Sequence, residues 1–423
     1  MKKIHLAKNL FLVTTTFFFT SFFIGCKTET KHPKKTVINE TILKALDGFS
    51  VKEIGKDLGA VRHLTVAKNG DIYANRSVLK DGKAILLLKD IDNDGTIDTQ
   101  KSFAELPGTG ILATDNYLYT SSNSGVFRYA MNENSEVIDT DNPEKIVDGL
   151  LDMGADNAKP FTIDADNNLY VTIGSWNDGC RDNKAGTGMI PCTILDSAGG
   201  IWKFKADALN QTYADGTRYV TGIKNAVGIS WNFKTNSLFA TDHGRGGLHG
   251  FYPDLYTQEQ DGDLPAETLY ELKQGDDAGW PSSYYDPNQK KRILAPEYGG
   301  DGKKTGGENA VNPIMAFPAH LGPNDLIFYT GDMFPEKYKN GAFIAFHNQS
   351  PTLKKGFFIA FVPFKDGKPS GDWEIFLDNF AGFDLASSEG GTMQHRPCGL
   401  AQGPDGALYV CDDFGGSIFK ITY

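Results

Sequence analysis

The sequence predicts an all-β fold, a six-bladed β-propeller with long inter-blade loops. Three observations carry that prediction. Short runs rich in aromatic and β-branched residues recur along the 423 residues, and no long helical stretch interrupts them. Glycine is abundant at 47 residues, as in a chain dense in turns. Above all, one phrase repeats: an apolar run, a Gly/Asn/Asp turn, then an apolar run centred on an aromatic. A strand-turn-strand unit of this kind cannot bury both faces alone, whereas radial stacking closes it into a ring. A β-sandwich with irregular strands is the alternative, but two facing sheets would not demand a recurring phrase.

Taken in order, "MKKIHLAK" and "NLFLVTTTFFFTSFFIG" read as the charged and apolar parts of a signal peptide over residues 1–25. The stretch before Cys26 resembles the bacterial lipoprotein signal, which implies Cys26 as the lipidated residue and a lipid-anchored chain in the bacterial cell envelope. Residues 26–45, beginning "CKTETKHPKKT", suit a flexible tether. The propeller is expected over residues 46–423.

The repeated phrase turns at Gly70, Asn116, Asn167, Asn236 and Gly406, with Tyr73, Tyr119, Tyr170, Phe239 and Tyr409 in the aromatic slot. A looser sixth copy is "NDLIFYTGDMFPEKYKNGAFIAFHN". Either "FSVKEIG" or "SIFKITY" is expected to close the last blade, because an open ring leaves sheet edges unpaired. In the first blade, "DIDNDGTID" (Asp90 to Asp98) begins like a calcium loop, but Lys101 stands where its last ligand belongs. A hairpin turn is the better reading. Two segments, about 176–198 and 246–312, break the rhythm and are expected between blades, roofing one mouth.

Export permits disulfides, and four cysteines follow Cys26. Proximity favours Cys180 with Cys192; Cys398 and Cys411 either pair or stay as buried thiols. There is no CxxCH for attached haem. The formal charge of −11, with scattered Lys and Arg, argues against nucleic-acid binding.

The head of each phrase falls where an inner strand starts, near the axis at one mouth. Arg62, His63, Lys159, Lys224, Asn225 and Arg396 lead copies, and His320 precedes the looser one. Cations gathered there would form an anion-seeking funnel. His63 and His320 are candidate general bases, because imidazole titrates near working pH. His243 and His347, which follow strands, are expected off-axis or on the rim, and Asp156 is a weaker candidate.

"TGIKNAVGISWNFKTNSLFATDHGRG", "GDDAGWPSSYYDP", "FVPFKDGKPSG" and "RPCGLAQGPDGALYVCDD" resemble the glucose/sorbosone dehydrogenases. The resemblance covers roughly residues 50–423, and implies a six-bladed propeller that uses pyrroloquinoline quinone (PQQ) and calcium. It implies Lys224, Asn225 and Arg396 as cofactor contacts, with Arg62 and Lys159 at equivalent strand heads. It also implies the backbone carbonyls of Gly244 and Arg245 as calcium ligands. Lys354 or Lys355 stands near a further family lysine. Three departures stand out, one being Ser175 where the family's partner Asp is expected. "LDMGADNAKPFTID" lacks the His that serves glucose-oxidising members as general base, and Lys224 replaces an Arg, losing its planar fork.

The expected activity is oxidation of a sugar or sugar-derived aldehyde, with electrons passed to an external acceptor. No nicotinamide fingerprint is present. The alternatives are a cofactor-free propeller that binds a glycan or protein, and a metal-assisted hydrolase or lyase.

Overall fold

The computed structural model describes residues 41–92, 94–182 and 186–423. The signal peptide, Cys26 and most of the expected tether lie outside the described residues. Lys44–Ala45, the end of that tether, already forms a strand paired with Asp378 and Leu377.

Six sheets of four or five strands, antiparallel except for the outermost pair of blade 2, are arranged as the blades of a propeller. The inner strands are Val61–Val66, Ile111–Ala113, Phe161–Ile163, Ile229–Asn232, Pro323–Phe328 and Pro397–Gln402. Each pairs with the strand that follows its phrase's turn, so all six copies are inner hairpins. Ser50–Gly55 adds itself as the outer strand of the last blade, beside Ile418–Thr422. Both candidate closing segments therefore sit in one blade, and the ring is sealed by joining the two ends of the domain.

The aromatic slot explains the refrain's spelling. Tyr73, Tyr119, Tyr170, Phe239 and Tyr409 are at most 5% exposed. Each packs into the cluster shared with the next blade: Tyr73 with Ile111 and Leu118, Tyr170 with Ile229 and Leu238, Tyr409 with Leu64 and Leu86. Three of the tyrosine hydroxyls involved in this packing reach a backbone carbonyl of the adjoining segment: Tyr73 to Ser135, Tyr119 to Ala206, Tyr329 to Gly406. An aromatic wedge with a polar tip thus fills the wide gap between splayed sheets and satisfies its own hydroxyl.

The interruptions lie within blades, which corrects the expectation that they lie between them. Residues 174–199 separate the second and third strands of blade 3. Those from 243 to 314 fall inside blade 4 and contain its third strand, Glu267–Leu272. The remainder forms helical turns at Leu248–Phe251 and Gln258–Asp263 and a hairpin, Ser283–Asp286 with Lys291–Leu294. The turn from second to third strand opens at the same end as the start of the inner strand, so these insertions still flank the mouth. Cys180 and Cys192 are joined by a disulfide in the blade 3 insertion, while Cys398 and Cys411 are buried free thiols.

Asp90 to Asp98 links the third and fourth strands of blade 1 as a hairpin connection, at the opposite end. Its carboxylates accept backbone N–H bonds: Asp90 from Gly95, Asp94 from Thr96 and Asp98 from Ile91.

Candidate functional site

An antiparallel hairpin brings the start of its first strand beside the end of its second. The mouth is therefore built from two sets of residues, strand heads and strand tails. In blades 1, 5 and 6 these are Arg62, His347, Arg396 and Asp413. Arg62 Nη1 donates to Asp413 Oδ2 at 2.8 Å, and Arg396 Nε donates to Asp413 Oδ1 at 2.8 Å. His347 Nε2 lies 3.0 Å from both Asp413 oxygens and 3.3 Å from Arg62 Nη1. Because Arg62 already donates to the carboxylate, the shorter contact decides the tautomer: Nε2–H donates to Asp413. Nδ1 is then a free acceptor, with no hydrogen bond among the described residues.

Burial pushes the Asp413 carboxyl up, but the His347 hydrogen bond and the Arg62 and Arg396 guanidiniums outweigh it and hold the group well below the usual carboxylate range. Burial, aided by the two arginines, pushes the His347 imidazole below its ordinary value despite Asp413.

His347 and Arg396 line a cavity of about 390 Å³ with His243, Gly322, Asn324, Asn348, Phe357, Met393 and Phe414. Its volume falls within the roughly 300–1,000 Å³ of small-molecule sites. Arg396 is the most open of the cations, 36% exposed at its side chain. Its terminal amino groups carry no hydrogen bond among the described residues.

Blades 3 and 4 supply the other side. Lys224 Nζ lies 2.8 Å from Asp156 Oδ2 and 3.1 Å from Asp178 Oδ1. Asn225 Nδ2 donates to Asp156 Oδ1 at 2.9 Å and sits 3.4 Å from His243 Nδ1. His243 Nε2 reaches the Pro323 carbonyl at 3.0 Å, joining this group to the cavity. Burial, then the charge on Lys224, pushes His243 down to about 3. Beneath, Asp242 accepts the backbone N–H groups of Lys224 and Asn225. Glu267 accepts those of Gly244 and Gly322.

Several expectations change here. His63 is 7% exposed, with Nε2 bonded at 2.8 Å to the Asn324 carbonyl and 3.9 Å from Asp325, behind the cavity wall rather than in it. His320 Nε2 is bonded at 2.6 Å to the Asp261 carbonyl, turned toward the blade 4 insertion. Neither presents a free ring to the cavity. Lys159 is 1% exposed, bonded to the Asn157 carbonyl at 2.5 Å, and burial pushes its ammonium down to about 8. It is sealed under its own loop and does not join the others. Lys355 pairs with Asp378 on the outer part of blade 5. His243 and His347, expected off-axis, line the cavity.

The anion-seeking funnel is also corrected, since every cation brought together is matched to an aspartate. Arg62, Arg396 and Lys224 face Asp413, Asp156 and Asp178. Asp413 and Asp178 are not among the expected site residues, and His347 is expected off-axis or on the rim, because the expectation rests on strand heads. The residue following the aromatic-centred run, Asp413 after "LYVCD" and His347 after "AFIAF", was the signal available.

The donor set fits the groups that the resemblance implies. Arg396 offers unspent N–H groups to a carboxylate such as those of PQQ. The carbonyls of Gly244 and Arg245 accept no hydrogen bond among the described residues, while Arg245 is 4% exposed. Unclaimed carbonyl oxygens suit a hard cation such as calcium.

Comparison with known proteins agrees with this architecture. A PQQ-dependent sugar dehydrogenase of Hypocrea jecorina is 22% identical over 406 residues, covering 89% of this chain and 88% of its own. An uncharacterized protein of Borreliella burgdorferi is 26% identical over 206 residues, 48% of each chain. Among solved structures, the holo PQQ domain of a Coprinopsis cinerea pyranose dehydrogenase has a TM-score of 0.70 at 18% identity, covering 92% of this chain and 98% of its own. A calcium structure of the Trichoderma reesei carbohydrate-active enzyme family AA12 gives 0.71 at 19%, covering 92% and 98%. The TrAA12-like family model matches residues 43–423, the whole ring from the first paired strand to the last residue, and the chain belongs to that family.

Proposed function

We propose that the protein is a quinoprotein oxidoreductase that oxidises a sugar or sugar-derived aldehyde and passes the electrons to an external acceptor. The observation that carries this reading is the convergence of Arg396 and His347, both held by Asp413 with Arg62 behind them, on one cavity in a chain of this family. PQQ, when bound, supplies a two-electron acceptor, and calcium supplies a Lewis acid at its quinone oxygens. Arg396, Arg62, Lys224 and Asn225 are the residues to hold the cofactor, and the Gly244 and Arg245 carbonyls those to hold calcium.

His347 takes the part first assigned to His63 and His320. Its Nε2–H is fixed on Asp413, so Nδ1 is left as the lone pair that receives a proton from a substrate hydroxyl. Asp413 keeps the ring oriented and stabilises the imidazolium as it forms. Phe357, Met393 and Phe414 give the cavity apolar surface against which a ring packs and from which water is displaced. The lipid anchor at Cys26 and a place in the bacterial cell envelope belong to this same proposal and rest on the signal sequence alone.

The test is reconstitution of the purified protein with PQQ and calcium, followed by a dye-linked assay over a panel of aldoses. Cofactor-dependent dye reduction with at least one sugar is expected. Bound cofactor with no turnover on any of them would favour a binding protein.

A further inference from the structure

Glu297 is fully buried at 0% side-chain exposure and holds two guanidiniums. Arg245 Nη1 donates to both of its oxygens at 2.5 Å, and Arg181 Nη1 donates to one at 2.9 Å. The three residues come from the two insertions around the mouth, one from blade 3 and two from distant parts of the blade 4 insertion. Arg181 follows Cys180 of the disulfide loop, Arg245 lies in the turn after the second strand of blade 4, and Glu297 sits in the turn Pro296–Tyr298.

Other contacts tie the same pieces. The Glu297 carbonyl accepts the Gly188 N–H at 2.9 Å, and the Arg181 guanidinium stacks 3.7 Å over the Phe251 ring. A buried carboxylate between arginines is a poor device for stability alone, since apolar replacements of similar shape often serve as well. What this one does is fix the position of Arg245, whose own carbonyl is unclaimed. The guanidinium also donates to the Gly246 carbonyl, and Glu267 holds the Gly244 N–H at 2.9 Å. The turn that presents both carbonyls is thus pinned from each end.

We infer that Glu297 is a positioning residue for a divalent-cation site at the Gly244 and Arg245 carbonyls, and that it ties Arg181, beside the Cys180–Cys192 disulfide, to that site. The inference rests on the calcium role given to those carbonyls under Proposed function. Glu297 is not itself a ligand, because its oxygens are taken by the two arginines. The disulfide shortens the tether of Arg181 and so keeps the far end of the clamp in place.

The experiment is calcium titration calorimetry on the full-length protein without PQQ, with melting temperature measured in parallel. The variants are Glu297→Gln, the Cys180→Ser/Cys192→Ser pair, and all three changes together. Glu297→Gln is expected to weaken calcium binding by about 10- to 100-fold, as loss of a ligand's supporting partner does. The cysteine pair weakens it in the same direction, and the triple variant is no weaker than Glu297→Gln, because both act through one clamp. Arg181→Lys, which keeps the charge, recovers part of the affinity lost in Arg181→Met. Should Glu297→Gln not fold, Arg181→Met carries the test, since it leaves the Arg245–Glu297 pair intact.

A merely structural clamp would lower the melting temperature and leave the calcium Kd of the folded protein unchanged. That result, or effects that multiply in the triple variant, overturns the inference. A wild type that binds no calcium instead removes the cation site itself, and the inference with it.

Discussion

On the side of the mouth built by blades 5, 6 and 1, two guanidiniums share one carboxylate. On the side built by blades 3 and 4, two carboxylates share one ammonium. The first side therefore carries an excess of positive charge and the second an excess of negative charge. An anionic ligand is drawn to Arg396, where N–H groups are unspent, and a cation to the side of Lys224 and the unclaimed carbonyls of Gly244 and Arg245. A tricarboxylate bound together with calcium matches a site divided in this way, whereas a uniform funnel of cations would serve the anion alone.

The division breaks hardest at His347 and Asp413. His347→Ala should lower turnover by about 10²- to 10⁴-fold, the range for loss of a general base, while cofactor affinity changes far less. His63→Gln and His320→Gln should leave turnover within a few-fold, and steady-state kinetics on the reconstituted proteins separates these cases. Asp413→Asn removes the carboxylate that two arginines share, and breaking a buried pair costs roughly 3–5 kcal/mol. Its pH dependence has a definite sign. The folded carboxyl is held below its unfolded value, so its contribution is complete above the unfolded value and fades as pH falls through that value toward the folded one. Denaturation curves should show wild type and Asp413→Asn separated by a constant gap above about pH 5, and converging below about pH 4.

Much of this was legible in the sequence. The aromatic slot marks five blades, since a residue that must wedge between sheets recurs once per sheet, and the looser copy marks the sixth. The Cys180–Cys192 pairing, favoured by proximity among the three possible, is the one formed. What stayed hidden was the other strand end. The heads of the phrase point to Arg62, Lys224, Asn225 and Arg396, but not to Asp413, and they leave His347 off-axis, although an antiparallel hairpin returns both to the same mouth. Lys159 failed for a different reason. Its place at a strand head is the same as the others', but nothing in the sequence shows that residues 151–157 fold over it. Glu267–Leu272 was hidden inside a segment whose glycines and prolines read as loop.

Lys159 sharpens the comparison by standing outside it. Its folded value of about 8 lies below its unfolded 10.5, so the buried ammonium destabilises the fold at neutral pH and ceases to do so as pH rises through that interval. Lys159→Met should be more stable than wild type at pH 7 by up to about 3 kcal/mol, with the difference disappearing above about pH 10. A Lys159 that contacts the cofactor would instead lose PQQ affinity on substitution. Smaller still is Arg396→Ala. Calorimetry should find PQQ binding weakened by about 1.5–3 kcal/mol and the melting temperature little changed, since the side chain is partly exposed and leaves Arg62 on Asp413.

The central claim, that the axial cavity is a PQQ site with a calcium side, is tested most directly by titrating PQQ into the purified wild-type protein with and without calcium, followed by absorbance. The account predicts saturable binding at micromolar cofactor, tighter with calcium present. No binding under either condition would contradict it and leave the cavity to an uncharged ligand.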